Sequence, residues 1–162
     1  MKYEGYMLVV KDIGRSKRFY HQVLDAAIML DLEGHVVFEG GFFLLRETDW
    51  LVFAEQRQDA VRYGHRSGEL VFEVDDIDAF MVRLDGLPDI PLLHGLKEHP
   101  WGRRAVRFCD PDGHIIEVGE SMRVVVKRFL KSGMSVEEAA RRSEFPVSFA
   151  RMCQAELEAE AR

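Results

Sequence analysis

Glu117 stands between Ile116 and Val118, a carboxylate inside an apolar run. The surrounding stretch is Trp101-Gly-Arg-Arg-Ala-Val-Arg-Phe-Cys-Asp-Pro-Asp-Gly-His-Ile-Ile-Glu-Val-Gly-Glu120. Two β-patterned segments, Arg104–Cys109 and His114–Glu120, flank Asp110-Pro-Asp-Gly113. Proline sets φ and glycine takes the positive-φ position, so the tetrad predicts a tight turn and the two segments a hairpin. If Cys109 and His114 close the loop, Glu117 lies across from Val106. Alternation then places Arg104, Val106, Phe108, Ile115 and Glu117 on one face. This is an apolar wall with one acid and one base. It reads either as the floor of a small-molecule cleft or as a solvated strand face with a salt bridge.

The elements that must position this wall belong to an ordinary globular chain. Its 162 residues fit one domain, or one domain with an appendage. Hydrophobic residues make up 47% and charged residues 31%, enough for a real core. The net charge of -6 argues against general nucleic-acid affinity, which needs clustered cations. Cys109 and Cys153 have no paired spacing, so neither a disulfide framework nor a cysteine zinc site is expected. Met7–Val10 is the only early apolar run, and Lys11 and Asp12 end it. No leader, no membrane span and a cytoplasmic location are therefore expected.

Tyr6–Val10 predicts a strand. Asp12 or Ser16 can cap a helix that carries Phe19, Val23 and Leu24 on its apolar side. Three strands follow over Ala27–Leu32, Val36–Glu39 and Phe42–Arg46, separated by Gly34-His35 and Gly40-Gly41. Residues 47–68 read as a connection, with Trp50–Ala54 a short strand or a surface flap. The pattern then repeats. Glu69–Val74 is a strand, and Asp75 or Asp76 caps a helix bearing Ile77, Phe80, Met81 and Leu84. Leu92–Lys97 and the hairpin complete three more strands. A repeat of strand, helix and three strands outranks any local motif in deciding the fold.

Val10-Lys-Asp12 with Ser16, Phe19-Tyr20 and Val23-Leu24 resembles the opening of the vicinal oxygen chelate superfamily. That superfamily includes glyoxalase I, the bleomycin resistance proteins and the extradiol dioxygenases. Phe72-Glu-Val-Asp-Asp-Ile77 resembles the opening of its second module, and Asp110-Pro-Asp-Gly-His-Ile-Ile-Glu117 its closing hairpin. The resemblance spans residues 5–120. It implies an α+β fold: two βαβββ modules whose sheets curl around a shared cleft. The expected domain spans 1–120, with module one at 1–46, the connection at 47–68 and module two at 69–120. A helical tail, 121–162, is added to it. The resemblance also implies a homodimer.

Members of the superfamily hold a divalent metal with up to four ligands, from the first and last strand of each module, and so polarise vicinal oxygens of a substrate. Carried over by position, these ligands fall on Gly5, Leu45, Glu69 and Glu117. Gly5 and Leu45 have no donor. Glu69 and Glu117 can ligate, and two carboxylates hold a hydrated Mg²⁺ or Mn²⁺ only weakly. His99, on the loop before Trp101, is a candidate third group. His114 sits at the hairpin turn and on the face opposite Glu117. No cofactor is the primary expectation, and a weakly bound divalent metal the alternative.

Without a full metal site the cleft can still bind. Met7 and Val9 share the Gly5 face, Val71 the Glu69 face, and Val106 and Phe108 the Glu117 face; Trp101 can lid a planar ligand, and Arg104 can pair with an anion or with Glu117. Glu69 and Glu117, if buried together, would include a raised carboxyl able to act as a general acid.

In the tail, Val124–Leu130 predicts a helix ending at Gly133. Ser135-Val-Glu-Glu138 is a capping box opening a second helix, and Val147–Glu160 is a third. Glu138–Phe149 is similar to a helix-turn-helix with Glu144 in the turn glycine's place. Ser148, Arg151 and Gln154 would be its readers, but Glu156, Glu158 and Glu160 repel phosphate. A packing appendage is therefore expected and nucleic acid is not. Three readings stand in order: a bleomycin-resistance-like binder of a small molecule, a metal-dependent lyase, isomerase or dioxygenase using Glu69 and Glu117, and a ligand-sensing regulator with a DNA-reading tail.

Overall fold

A computed structural model describes residues 1–161. Strand β1 (Tyr6–Val10) is followed by helix α1 (Ile13–Leu24) and strands β2 (Ile28–Asp31), β3 (His35–Phe38) and β4 (Phe42–Arg46). Helix α2 (Glu47–Phe53) precedes the second round, which is β5 (Glu69–Val74), α3 (Ile77–Asp85), β6 (Leu92–Glu98), β7 (Arg104–Cys109) and β8 (Ile115–Glu120). Three helices close the chain: α4 (Met122–Lys131), α5 (Val136–Ser143) and α6 (Val147–Glu160). The two sheets have the same order, β1-β4-β3-β2 and β5-β8-β7-β6. This is the α+β repeat of βαβββ modules, with a helical C-terminal region.

The chain divides into two compact units. One contains Met1–Leu70, Arg83–Pro91 and Phe108–Ile116; the other contains Val71–Val82, Leu92–Arg107 and the described residues from 117 on. In the first unit β1 runs parallel to β4, with Val9 beside Leu45, and β3 runs antiparallel to β4. Alternation buries Leu8, Val10, Val36, Phe38 and Leu44. Helix α1 begins at Asp12, whose side chain accepts from the Arg15 amide, and its buried Tyr20 and Val23 meet this face. Phe38 and Phe42 stack at 4.5 Å, with Tyr20 tilted against Phe42 at 5.2 Å.

Trp50–Ala54 is not a strand. Residues 47–53 form α2, which opens with two acidic residues in its first turn, Glu47 and Asp49. Asp49 accepts from Arg46 Nε at 3.0 Å and occupies the space where a Cβ of Gly34 would stand. The i,i+3 charge pair that anchors this helix is invisible to a count of apolar residues.

The last hairpin closes one residue away from the expected register. The Asp110 carboxylate accepts from the amides of Asp112 and His114, and the Asp110 amide donates to the His114 carbonyl at 2.9 Å. Counting outward from that pair puts Arg107 opposite Glu117 and Arg104 opposite Glu120. Both pairs are ion pairs. Val106 and Phe108 alternate onto the buried face with Ile116 and Val118.

In the second unit, α4, α5 and α6 share a core of Val125, Val126, Phe129, Ala139, Ala140, Ala150 and Cys153. The capping box is formed: Ser135 Oγ accepts from the Glu138 amide, and Glu138 accepts from the Ser135 amide at 2.8 Å. Glu144 ends α5 in the left-handed region, φ 60°.

Candidate functional site

In the first unit a cavity of about 260 Å³ opens beside β1. Met7 and Val9 on β1, Trp50 on α2, Tyr63 and His65 on the connection, Glu69 at the start of β5 and His114 at the hairpin turn all line it. The connection reaches this position through two glycines. A Cβ on Gly113, at φ +87°, would lie 3.0 Å from Gly64 Cα, so the two backbones approach too closely for a side chain.

Polar groups around the cavity are fixed. Tyr63 donates its hydroxyl to Glu47 Oε2 at 2.8 Å, and Lys11 Nζ stands 4.3 Å from the Tyr63 ring centroid. Burial, with the Glu47 hydrogen bond and charge added, pushes the Tyr63 phenol well above its usual range, so it remains a neutral donor. His114 Nδ1 lies 2.9 Å from Asp110 Oδ2, and Tyr20 donates to the same oxygen at 2.9 Å. Asp112 accepts from the Lys11 amide at 3.1 Å and from Arg15 at 2.6 Å. Burial alone would raise the Asp110 carboxyl. The hydrogen bonds and charge of His114, with the Tyr20 hydroxyl, outweigh it and hold the carboxyl below its usual range.

In the second unit a different cluster surrounds Glu117. Its side chain is buried, Arg103 Nη1 lies 3.1 Å from Oε1, and Arg107 pairs with Oε2. Arg103 lies across Gly119, where a Cβ would meet its Nε at 2.5 Å, and donates to the Glu120 carbonyl at 2.9 Å. Arg107 Nη1 is 3.3 Å from His94 Nε2. Arg104 does not pair with Glu117. It donates to Glu120 at 2.7 and 3.0 Å and to Asp78 at 2.9 and 3.1 Å, and the hydrogen bond to Glu120 is the main cause that raises its pKa.

Of the residues singled out from the sequence, the cavity brings together Met7, Val9, Glu69 and Ile115. Val106 and Phe108 are fully buried, and Val71 is exposed on β5. His99 and Trp101 stack on each other at 4.6 Å in the second unit, in a turn whose Pro100 carbonyl accepts from Arg142 of α5. Trp50, Tyr63 and His65 were not among the sequence candidates, and His114, weighed from the sequence only as a substitute metal ligand, lines the cavity. Aromatic and histidine content in 50–65 was the available signal.

Three of the four metal positions that the resemblance implies do not fit a metal, which leaves Glu69 alone. At Gly5 a Cβ would stand 2.1 Å from the Gly41 carbonyl oxygen and 2.7 Å from the Phe43 ring, so the position has neither a donor nor room for one. Leu45 is apolar and buried. Glu117 is held by two guanidinium groups, which supply the positive charge that a cation would supply. Among the described residues no group of three His, Cys, Asp or Glu side chains is placed to hold a metal ion.

Paired βαβββ modules define a vicinal-oxygen-chelate architecture. Residues 3–123 match the glyoxalase-like domain family, and the chain belongs to it. A protein of unknown function from Agrobacterium tumefaciens str. C58 is 36% identical, with 75% of this chain and 94% of that one covered at a TM-score of 0.67. A lactoylglutathione lyase from Agrobacterium tumefaciens is 28% identical over 72% of this chain and 91% of its own, TM-score 0.56. A glyoxalase/bleomycin resistance protein/dioxygenase from Nocardioides, 22% identical over 74% of this chain and 83% of its own, shares the fold at a TM-score of 0.56. No curated protein matches the chain. Helices α5 and α6 lie beyond the matched residues.

Proposed function

We propose that the protein binds a small molecule in the cavity beside β1 and does so without the divalent metal of its catalytic relatives. The observation that carries this reading is the pairing of Glu117 with Arg103 and Arg107. A carboxylate engaged by two guanidinium groups must break both ion pairs before it can ligate. The cavity volume, about 260 Å³, suits a ligand of one ring. The similarity to a lactoylglutathione lyase keeps a metal-dependent lyase, isomerase or dioxygenase as the second reading. Gly5 and Leu45 weigh against it.

The binder is proposed to act as a homodimer in the cytoplasm. No described helix is long and apolar enough to cross a membrane. Nucleic acid is not proposed as a partner. On α4, Lys127 pairs with Glu156 and Glu160 of α6, and Arg123 with Glu156, so the cations of the tail face its own acids.

The test uses the fluorescence of Trp50 in a Trp101→Phe background. Single-ring aromatic compounds should quench it saturably, and Ala60→Phe, which adds a ring to a lining position without a second fluorophore of the same kind, should abolish that quenching. Stoichiometric Mn²⁺ or Zn²⁺ lost in Glu117→Ala would instead establish the metal-dependent reading.

A further inference from the structure

His114 joins a buried hairpin turn to the cavity. Its Nδ1 meets a carboxylate whose side chain is wholly buried. Asp110 Oδ1 takes the amides of Asp112 and His114, while Oδ2 takes the Tyr20 hydroxyl and His114 Nδ1. A carboxylate with four donors around it is acceptor only, so the proton of the shared contact belongs to Nδ1. Nε2 then carries the lone pair. The hydrogen bonds of His114 engage its amide, its carbonyl and Nδ1, and His114 is one of the residues that line the cavity. A carboxylate behind an imidazole fixes its tautomer and steadies the imidazolium that forms when Nε2 accepts a proton.

The walls restrict what can deliver that proton. Tyr6, Trp50 and Tyr63 line it with aromatic rings, and the volume holds one substituted ring: a dry cavity on the order of 150 Å³ already admits benzene. Arg62 adds positive charge at the rim, Glu69 opposes it, and Lys11 stands over the Tyr63 ring. We propose that His114, held by Asp110, is the proton acceptor of this cavity, and that its ligand is a single-ring planar compound carrying one weakly acidic O–H or N–H, bound as its anion. The proton leaves the ligand heteroatom and arrives on Nε2. The electron pair stays on the ligand, and the anion faces the imidazolium with no further reactant. This inference rests on the reading of the cavity as a ligand site.

The probe is 4-nitrophenol, whose anion absorbs visible light, with nitrobenzene as the control of like shape and no acidic proton. The wild-type protein should bind 4-nitrophenol more tightly than nitrobenzene and lower its apparent pKa by about one unit, a tenfold gain in ionisation. His114→Gln should keep nitrobenzene binding and lose that shift. Nitrogen-15 NMR of the wild-type histidines, which needs no variant, should show His114 doubly protonated in the 4-nitrophenol complex. Equal binding of the two probes, an unchanged shift in His114→Gln, or a neutral His114 in the complex would overturn the assignment and leave the ligand cavity standing. Failure of both probes to bind at millimolar concentration would overturn both.

Discussion

Arg107 faces Glu117 across the β7–β8 pair, and their side chains form an ion pair that Arg103 completes from the other carboxylate oxygen at 3.1 Å. The Arg103, Arg107 and Glu117 side chains are 17%, 25% and 6% exposed, so solvent screens the cluster little. Truncating Glu117 would remove the carboxylate that two mostly buried guanidinium groups share. Glu117→Ala is expected to cost about 3 kcal/mol, in the range for breaking a buried pair from one side. Glu117→Gln keeps a hydrogen-bond acceptor and should cost less. Urea unfolding followed by circular dichroism gives both values, and a loss below about 1 kcal/mol in Glu117→Ala would show that the cluster is solvated.

Tyr20 and Asp110 support a second prediction. Tyr20 is fully buried and donates to Asp110, a carboxylate held below its usual range when folded. A depressed folded pKa gives stability that is complete above the unfolded value. That stability is lost as pH falls through the folded one. The window therefore lies below about pH 4. Tyr20→Phe removes one donor from a buried charge and should cost about 2 kcal/mol at pH 7. Asp110→Asn should cost more at neutral pH and flatten the acid limb. Unfolding free energies measured from pH 7 down to pH 3 would detect both effects.

The elements that carry these groups were legible in the sequence where a local rule has one outcome. Ser135 and Glu138 satisfy a capping box, and the box is present. The repeat of strand, helix and three strands follows from periodicity, and two sheets of identical order result. The register of the last hairpin was not legible, because the side chain of Asp110 decides it. By binding the amides of Asp112 and His114 it moves the closing pair by one residue and exchanges Val106 for Arg107 opposite Glu117. His114 was set aside by an alternation argument. It lies one residue before β8 begins at Ile115, where alternation does not apply. The walls from 60–65 belong to no helix or strand, so no period marks them.

Glu144 sits at φ 60° where α5 ends, with its amide donating to the Ala140 and Arg141 carbonyls. A non-glycine residue there carries a steric cost of about 1–2 kcal/mol that glycine avoids, at the expense of some unfolded-state entropy. Glu144→Gly should therefore stabilise the protein by about 0.5–1 kcal/mol, a rise in melting temperature of about 1–4 °C for a chain of this size. Calorimetry would check it. A lower melting temperature would mean that the Glu144 side chain contributes more than its backbone costs.

Gly102 and Phe129 provide the closing test, since they join α4 to the turn before β7. Gly102 has φ +87°, and a Cβ there would meet the Phe129 ring at 2.2 Å. Phe129 is 8% exposed and belongs to the core of the three tail helices. Gly102→Ala thus imposes a strained backbone and drives a methyl group into a buried ring, which must shift. The expected cost is about 2–3 kcal/mol. Phe129→Ala alone leaves a cavity and should cost about 3–4 kcal/mol. In the double variant the methyl group occupies part of that cavity, so the combined loss should fall short of the sum by 1 kcal/mol or more, on the order seen for residues in contact. Simple additivity in a urea unfolding cycle would show that the turn and α4 are not packed together, and the tail would then have to be treated as an independent helical unit.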